Sequence, residues 1–331
     1  MKKKILLTGC AGFIGSNFLK KFAVPNNQYD FVVLDALTYA GHYPTIEKDI
    51  DENDHLSFVK MDLRESEEVK SLFERVKFSG VIHFAAESHV DNSIKNPNIF
   101  VETNVLGTLN LLNAALHHGE KDFRFCHVST DEVYGELTEE EPAFTEDHKI
   151  APNSPYSASK ASSDLLVRSY AETFGMDTVM TRCSNNYGPF QFPEKLIPVM
   201  IAKAVANEKL PVYGDGRNIR DWIFVDDHNQ GVWDVFLKGK SGEVYNLGGD
   251  AEMRNLEVVK TIIKTLDKPE SLIGFVEDRK GHDWRYAMDF SKAKRDFGFT
   301  PTVSFEEGIQ KTIRWYLENQ EWVNSVRATK N

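Results

Sequence analysis

A glycine-rich turn near the start of the chain constrains the fold more than any other feature. Gly9, Gly12 and Gly15 are spaced three residues apart, directly after the apolar run Lys4–Thr8, and a helical pattern follows over Ser16–Ala23. Glycines in such a turn let backbone N–H groups approach a phosphate, and the helix N-terminus adds a partial positive charge. The pattern predicts a strand–turn–helix unit that binds a dinucleotide.

A carboxylate at the end of the next predicted strand favours NAD over NADP as the dinucleotide. Asp35 ends the next predicted strand and lies 20 residues after Gly15. A carboxylate at this place accepts hydrogen bonds from the adenosine ribose hydroxyls and repels a 2′-phosphate, so we expect NAD rather than NADP. Asp62 follows the third predicted strand. It is placed either to meet the adenine or to cap the helix predicted over Ser66–Lys77.

Strand and helix patterns alternate along most of the chain, which indicates βαβ units and a parallel sheet. The strands are predicted at Lys4–Thr8, Phe31–Asp35, Ser57–Met61, Val81–Phe84, Phe123–Ser129, Thr178–Cys183 and Glu243–Leu247. After Tyr187 the pattern loosens into segments rich in Pro and Gly. We therefore expect an α/β fold. A Rossmann-type doubly wound parallel sheet would take residues 1–186 and about 220–249, and a smaller, discontinuous C-terminal substrate domain would take about 187–219 and 250–331.

Composition excludes several classes of protein. The formal net charge of −11 makes the chain a poor general binder of nucleic acid or anionic membrane, because such binding needs Lys and Arg. The three cysteines are far apart, which argues against a secreted disulfide scaffold and a structural zinc site. No apolar run approaches the ~20 residues of a membrane span, and the apolar start is too short for a signal peptide. We expect a cytoplasmic protein that binds no metal, nucleic acid or membrane.

Reactive side chains follow the fifth predicted strand. Thr130, Asp131 and Glu132 come directly after it, and open parallel sheets bind ligands beyond the carboxyl ends of their strands. Adjacent carboxyl groups can serve as an acid and a base when their surroundings separate their pKa values. Taken alone, the same pair could be two solvated loop acids.

A second reactive segment begins like a helix at Pro155. Tyr156 and Lys160 stand four residues apart and so share one helical face. A free tyrosine has a pKa of about 10, and a neighbouring ammonium and the positive nicotinamide of NAD⁺ both favour its phenolate. The pair is thus suited to deprotonating an alcohol while the hydride of that alcohol leaves for NAD⁺.

Together these features resemble the extended short-chain dehydrogenase/reductase family. The residues that carry the resemblance are Gly9, Gly12, Gly15, Asp35, the region of Asn104, Tyr156 and Lys160. Within that family, three segments resemble the dTDP-glucose 4,6-dehydratases: Ser129–Gly135, Arg182–Pro189 and Asn218–Trp222. The resemblance runs from about Lys4 to Glu318, effectively the whole chain. It implies NAD-dependent conversion of dTDP-glucose to dTDP-4-keto-6-deoxyglucose by C4 oxidation, elimination of water across C5 and C6, and return of hydride to C6.

The resemblance also implies roles for individual residues. Catalysis would depend on Thr130, Asp131, Glu132, Tyr156 and Lys160, with Asp131 as the acid and Glu132 as the base of the elimination. NAD would be bound by Gly9, Gly12, Phe13, Ile14, Gly15, Asp35, Thr38, Asp62, Leu63, Ala85, Ala86, Thr103, Tyr156, Lys160 and Asn186. The nucleotide sugar would be bound by Ser88, Thr130, Asn185, Lys195, Leu196, Pro211, Val212, Tyr213, Arg220, Asn255, Asp278, Arg279 and His282.

Three alternatives remain at this point. A UDP- or CDP-hexose 4,6-dehydratase would use the same chemistry on another nucleotide. An epimerase would need the Tyr156–Lys160 pair alone, so the adjacent Asp131 and Glu132 favour a dehydratase. A non-catalytic NAD-binding sensor would have no use for a proton relay.

Two segments predict the assembly state. Val101–His118 and Pro155–Gly175 carry apolar residues at helical spacing, for example Val105, Leu109, Leu112 and Leu116. In the family that the chain resembles, the corresponding helices pair with their copies as a four-helix interface. We therefore expect a homodimer, although the same apolar faces could instead cover the sheet.

Overall fold

Residues 2–119 and 121–328 are described by the computed structural model, and they form twelve β-strands and thirteen α-helices. The strands are β1 (Lys3–Thr8), β2 (Tyr29–Asp35), β3 (Leu56–Lys60), β4 (Gly80–His83), β5 (Arg124–Thr130), β6 (Asp177–Cys183), β7 (Asn185–Tyr187), β8 (Leu210–Tyr213), β9 (Ile219–Phe224), β10 (Val244–Leu247), β11 (Glu252–Arg254) and β12 (Ile273–Val276). The helices are α1 (Phe13–Phe18), α2 (Glu47–Asp51), α3 (Ser66–Arg75), α4 (Val90–Lys95), α5 (Pro97–Phe100), α6 (Gly107–His118), α7 (Pro155–Phe174), α8 (Leu196–Val205), α9 (Val225–Lys238), α10 (Asn255–Thr265), α11 (Ser291–Phe297), α12 (Phe305–Glu318) and α13 (Gln320–Ala328).

Seven strands form one parallel sheet in the order β3-β2-β1-β4-β5-β6-β10. The chain builds outward from β1 to β3 and then returns to the other side of β1 with β4. This reversal leaves a crevice at the carboxyl ends of β1 and β4, where doubly wound sheets bind their ligands. The predicted Rossmann-type parallel sheet is confirmed.

Helices cover both faces of this sheet, as adjacent residues of β1 show. Leu6 lies in an apolar cluster with Leu72 of α3 and Val167 of α7, whereas Leu7 lies in another cluster with Val232 of α9. Successive side chains of a strand point to opposite faces, so each face has its own core. Burial on both faces explains why the central strands are apolar throughout.

The rest of the chain builds a smaller lobe beside the carboxyl ends of the large sheet. It contains a three-stranded sheet in the order β11-β9-β7 and a parallel pair, β8 and β12. Helices α8, α10 and α12 surround these strands through a third apolar cluster that includes Ile197, Ile262 and Ile309. Two later residues, Ala293 and Phe299, instead lie in a cluster of the large sheet.

The helix predicted over Val101–His118 begins earlier than expected. It runs over Pro97–His118, and a wide π-helical turn at Val101–Leu106 separates α5 from α6. By length and composition alone this helix could cross a membrane, although it is not an uninterrupted apolar run. Of its most apolar 18-residue stretch, 44% is buried inside the protein, and Leu111 and Leu112 lie in the core.

Candidate active site

The glycine turn lies at the carboxyl end of β1, where its backbone is packed too closely for side chains. Gly9 has a φ of +77°, and a Cβ there would lie 2.6 Å from the backbone of Ala85. A Cβ on Gly15 would lie 2.5 Å from the carbonyl oxygen of Gly9. At Gly12 a Cβ would meet only that same oxygen, at 3.3 Å, so this residue keeps the mouth of the turn open. The turn therefore has the shape of a phosphate cradle.

Asp35 holds the turn in place. Its two carboxylate oxygens accept hydrogen bonds from the backbone N–H groups of Ala11, at 2.9 Å, and Leu37, at 2.8 Å. The residue is only 8% exposed, and burial raises the pKa of its carboxyl. Besides lining the cleft, Asp35 thus ties the end of β2 to the glycine turn, a role that the sequence pattern did not indicate.

Asp62 also lines the cleft, and its side chain does not cap α3. Its carboxylate accepts hydrogen bonds from Arg64, the shortest at 2.7 Å, and these bonds lower the pKa of Asp62. The residue before α3 is Glu65, and no side chain caps that helix. Of the two roles that the sequence left open for Asp62, helix capping is therefore wrong.

Tyr156 and Lys160 are held by the first turns of α7. Ser154 caps this helix through the backbone N–H of Ser157, and the Ser157 hydroxyl bonds back to the N–H of Ser154. The Lys160 ammonium donates to the carbonyl oxygen of Val128 at 2.8 Å. Burial lowers the pKa of Lys160 to about 8.

The protonation state of Tyr156 in the protein alone differs from the sequence expectation. Burial, followed by the negative charge of Glu132, raises the pKa of Tyr156 well above its usual value. A hydrogen bond with Thr130 acts in the opposite direction but is outweighed. Without the positive charge of a nicotinamide, Tyr156 is therefore a neutral phenol despite its neighbour Lys160.

The two adjacent carboxyl groups stand on a 3-10 turn, Asp131–Tyr134, at the end of β5. Thr130 caps this turn, since its hydroxyl oxygen accepts from the backbone N–H of Glu132 at 3.3 Å. Asp131 is 1% exposed and accepts from the Thr130 hydroxyl at 3.1 Å through one oxygen. Burial, with the charge of Glu132, raises the pKa of Asp131 well above its usual value. Asp131 is thus set up as a protonated acid.

Glu132 has different surroundings from Asp131. Burial raises the pKa of its carboxyl, and three cations, Arg279, Lys195 and Arg220, offset part of that rise. These cations favour the carboxylate form, which is the form that a base requires. The surroundings therefore separate the pKa values of Asp131 and Glu132, as the roles of acid and base require.

All residues predicted to bind the cofactor lie along one cleft. They are Gly9, Gly12, Phe13, Ile14, Gly15, Asp35, Thr38, Asp62, Leu63, Ala85, Ala86, Thr103, Tyr156, Lys160 and Asn186. The same cleft is lined by Thr130, Asp131, Glu132, Ser88, Asn185 and Lys195. It also contains residues that the sequence reasoning missed, among them Arg64, Glu87, Cys183, Gln191 and Glu194. Nothing in the spacing of these five residues singles them out, because the fold alone brings them to the cleft.

The remaining predicted substrate residues do not line this cleft. They are Leu196, Pro211, Val212, Tyr213, Arg220, Asn255, Asp278, Arg279 and His282. Several of them gather in the small lobe: β8 pairs with β12, and the His282 ring lies 6.3 Å from the Tyr213 ring and bonds to Asp278 at 2.6 Å. Arg220 and Arg279 lower the pKa of Glu132, which lines the cleft. These residues of the small lobe therefore adjoin the cleft.

Arg220 is already engaged by the protein. Its guanidinium donates to the backbone carbonyls of Ile219, at 2.7 Å, and Asp283, at 2.9 Å. It also lies 4.2 Å from the centre of the Tyr286 ring. These contacts fix the cation close to Glu132 and leave it fewer free donors for a phosphate than the sequence suggested.

Buried polar atoms without partners mark where a ligand fits. Within the described residues, the side-chain oxygens of Asn185, Asn186 and Asn255, the second oxygen of Asp131 and Nε of Arg279 lack hydrogen-bond partners. Buried polar groups usually find partners, so a run of such atoms beside one cleft suits a polar ligand. Together with the glycine cradle, they fit a dinucleotide and a second nucleotide.

Comparison with known proteins gives consistent matches over the whole chain. The profile of the family described as GDP-mannose 4,6 dehydratase matches residues 6–312. A dTDP-glucose 4,6-dehydratase of Xanthomonas campestris is 51% identical, over 97% of this chain and 95% of that protein.

Solved structures of dehydratases and epimerases also match the chain over nearly its whole length. DesIV, a dTDP-glucose 4,6-dehydratase from Streptomyces venezuelae crystallised with NAD and dTDP, superposes with a TM-score of 0.92 at 44% identity, over 98% of this chain and 99% of DesIV. A UDP-glucose 4-epimerase of Thermotoga maritima superposes with a TM-score of 0.87 at 28% identity, over 96% and 99% of the two chains. The fold alone therefore does not distinguish dehydratases from epimerases.

Proposed function

Because this chain belongs to the dTDP-glucose 4,6-dehydratase family of the extended short-chain dehydrogenases/reductases, we propose that it is an NAD-dependent hydro-lyase. It converts dTDP-glucose to dTDP-4-keto-6-deoxyglucose and water. The observation that carries this function is the pair of adjacent carboxyl groups, Asp131 and Glu132, in the same cleft as Tyr156 and Lys160.

The cleft supplies the binding groups that the cofactor needs. The glycine turn presents backbone N–H groups to a pyrophosphate, and Asp35 stands at the end of β2 for the adenosine ribose. Bound NAD supplies the redox chemistry: hydride leaves C4 of the sugar for the nicotinamide and later returns to C6. Because the cofactor is regenerated in each turnover, it acts catalytically.

The first proton transfer belongs to Tyr156. Its phenolate, favoured once a positive nicotinamide offsets the effect of burial, takes the proton of the C4 hydroxyl. Lys160 provides a fixed cation one helical turn away, anchored on the Val128 carbonyl at 2.8 Å. The product of this step is a C4 ketone, which makes the hydrogen on C5 acidic.

Elimination then uses the two carboxyl groups. Glu132 removes the C5 proton, and Asp131 gives its proton to the departing C6 hydroxyl, which leaves as water. When hydride reaches C6, Glu132 returns a proton to C5. At the end Tyr156 holds one extra proton and Asp131 lacks one. Thr130 donates to Asp131 at 3.1 Å and lowers the pKa of Tyr156, so its hydroxyl is placed on the route that resets them.

One assay tests this function directly. The protein is incubated with dTDP-glucose, catalytic NAD and no added reductant, and the product is analysed by mass spectrometry for loss of one water. UDP-glucose and CDP-glucose are run in parallel, since faster dehydration of either would identify the alternative substrate. A product with the mass of the starting sugar would indicate an epimerase, and no reaction with any of the three would contradict the proposal.

The choice of NAD over NADP predicts the behaviour of Asp35→Ala. The unmodified protein should bind NAD more tightly, and the variant should lose much of that preference because the charge that repels a 2′-phosphate is gone. The variant also leaves the N–H groups of Ala11 and Leu37 without their partner, so its melting temperature should fall. Calorimetric titration with both cofactors measures the preference, and Asp35→Asn keeps an acceptor oxygen as the control for the structural loss. Equal affinity of the unmodified protein for NAD and NADP would contradict the assignment.

We further propose a cytoplasmic homodimer. The three cysteines are free and buried, as suits a reducing compartment. Of the four residues that suggested the interface, Leu112 is fully buried and covers the sheet, so it is wrong as a dimer contact. Val105, Leu109 and Leu116 are half-buried, and the two leucines also pack against the core.

Other residues of the same region leave an apolar patch on the surface. Its members are Ile94, Val101, Leu106 and Leu165, between 42% and 55% exposed. They come from α4, the π-helical turn and α7, so we propose that this patch contributes to the interface together with the half-buried Val105, Leu109 and Leu116.

The patch predicts that Leu165→Glu yields a monomer. A buried charge without a partner is costly, so a glutamate at 165 would oppose pairing of two such faces. Analytical ultracentrifugation at micromolar concentration should show a dimer for the unmodified protein and a monomer for the variant. Leu317→Glu is the matched control, since Leu317 is 46% exposed on α12 outside the patch. A monomeric unmodified protein would rule the dimer out.

A further inference from the structure

A buried ion pair lies beneath the floor of the cleft. Asp164, on α7, accepts a hydrogen bond from Nε of Arg182, on β6, at 2.9 Å. Nε2 of His127, on β5, lies 3.4 Å from the other oxygen of Asp164. Asp164 is 1% exposed and Arg182 is 4% exposed. Burying such a pair costs free energy, so its presence is weak evidence that it stabilises the fold. A role in the reaction is the other explanation for its burial here.

The carboxylate of this pair lies one helical turn from Lys160. Asp164 follows Lys160 by four residues on α7, so the two side chains share a helical face. Lys160 donates to the carbonyl oxygen of Val128, the residue after His127 on β5. The lysine and the carboxylate are therefore attached to the same helix and the same strand. Burial lowers the pKa of Lys160 to about 8, and the charge of Asp164 opposes that effect.

Few of the other titratable groups around Lys160 carry charge at neutral pH. Burial lowers the pKa of His127 to about 4 and that of His83, on β4, well below its usual value, so both rings are neutral. Burial raises the pKa of Cys183 on β6, of Asp131 on the 3-10 turn and of Tyr156 on α7, so these groups keep their protons. The charges that remain are Glu132, Arg182 and Asp164.

Asp164 keeps its charge over the whole working range of pH. Burial alone would raise the pKa of its carboxyl, but Arg182 and His127 lower it to about 2. Arg182 also lies 4.7 Å from the centre of the Tyr134 ring, at the end of the turn that carries Asp131 and Glu132. The ion pair thus links the helix of the proton-transfer pair to the turn of the two carboxyl groups.

From this geometry we propose that Asp164 is a positioning residue for the reaction: its carboxylate, fixed by Arg182, keeps Lys160 a cation in its buried site and so sets the alkaline limit of C4 oxidation. The inference rests on the proposed function for its kinetic consequence. Its electrostatic consequence, the titration of Lys160, does not depend on which sugar is oxidised.

Asp164→Asn is the direct test. An opposite charge close by shifts a pKa by about 1 unit or more, so the variant should lose the Lys160 proton at a pH lower by about that amount. NMR titration of protein with ¹⁵N-labelled lysine, assigned with Lys160→Arg, reports this directly. The alkaline limb of the pH profile for C4 oxidation should move down by the same amount, and Asp164→Glu should restore part of it.

The matched control is Asp177→Asn. Asp177, the first residue of β6, accepts from Arg124, the first residue of β5, at 2.8 Å, so this ion pair lies at the opposite ends of the two strands from Val128 and Arg182. This variant should leave the titration of Lys160 and the alkaline limb unchanged. A shift in the control as large as that in Asp164→Asn would overturn the proposal, because the effect would then not depend on the carboxylate that lies one helical turn from Lys160.

A second variant covers the case in which Asp164→Asn does not fold, since that change leaves Arg182 buried and unpaired. Asp164→Asn/Arg182→Gln removes both charges. Its Lys160 should still titrate below that of the unmodified protein, by less than in the single variant, because a like charge is also lost. Unchanged titration in a folded variant, or loss of folding in both variants, would make the pair merely structural and overturn the proposal. Failure of the proposed function is distinguishable, since it would appear as no water loss in the unmodified protein while Lys160 still titrates.

Discussion

Glu132→Gln is expected to give a protein that oxidises dTDP-glucose at C4 and goes no further. Glutamine has nearly the shape of glutamate but cannot take the C5 proton, whereas Tyr156 and Lys160 remain intact. Exchange of the C5 hydrogen with deuterated solvent and loss of water both need this base. Both should therefore fall together, by about 10²–10⁴. Mass spectrometry of the sugar measures deuterium uptake and water loss, and absorbance of the reduced cofactor measures the oxidation.

The cations around Glu132 allow the Glu132→Gln variant to distinguish a loss of catalysis from a loss of substrate binding. Arg279, Lys195 and Arg220 all act on this carboxylate, so removing its charge leaves more positive potential for a nucleoside diphosphate. We therefore expect kcat to fall while KM stays level or decreases. Glu140→Gln, an exposed glutamate on the following loop, is the control and should keep normal activity. C5 exchange at the normal rate in Glu132→Gln would place the base elsewhere.

The parts of the fold that the sequence predicted well are those where local signals agree. The turn with Gly9 and Gly15 admits no side chain at either position, so its glycines follow from the backbone alone. The central strands are apolar because both faces of the sheet are covered. Short strands of the small lobe, such as β8 and β11, were not predicted, because they depend on partners far along the chain.

Side-chain electrostatics could not be predicted from spacing. The four-residue spacing of Tyr156 and Lys160 correctly indicates a shared face, but the pKa of Tyr156 depends on its burial and on Glu132, which the spacing does not report. The ion pair of Asp164 with Arg182 was missed for the same reason, since its partners lie on a helix and a strand that meet only in the fold. Helical periodicity likewise identified apolar residues near the predicted interface but not which of them face solvent.

C4 oxidation is common to dehydratases and epimerases, so the acid of the elimination step is what distinguishes the two activities here. An epimerase needs to turn a ketone over and present its other face, and it expels no hydroxyl. Only a dehydratase needs a proton delivered to the hydroxyl that leaves C6. Burial, with the charge of Glu132, raises the pKa of Asp131 well above its usual value, which favours the protonated form that an acid requires.

Asp131→Asn should therefore separate exchange at C5 from elimination. The amide can still accept the hydrogen bond from Thr130, now 3.1 Å long, but it has no acidic proton to give. The variant should form the C4 ketone and exchange C5 with deuterated solvent through Glu132, yet lose water about 10²–10⁴ times more slowly. The same mass spectrometry that follows Glu132→Gln measures both processes.

A substrate with fluorine in place of the 6-hydroxyl provides the sharpest control for this step. Fluoride leaves without protonation, so Asp131→Asn should eliminate it far faster than it eliminates water, whereas Glu132→Gln should remain blocked with both substrates. That contrast would assign acid and base to separate residues, because a general disturbance of the turn would slow both leaving groups alike. If Asp131→Asn instead dehydrated dTDP-glucose at the normal rate, the paired carboxyl groups would not be the elimination machinery. The main structural reason to distinguish this protein from an epimerase would then be lost.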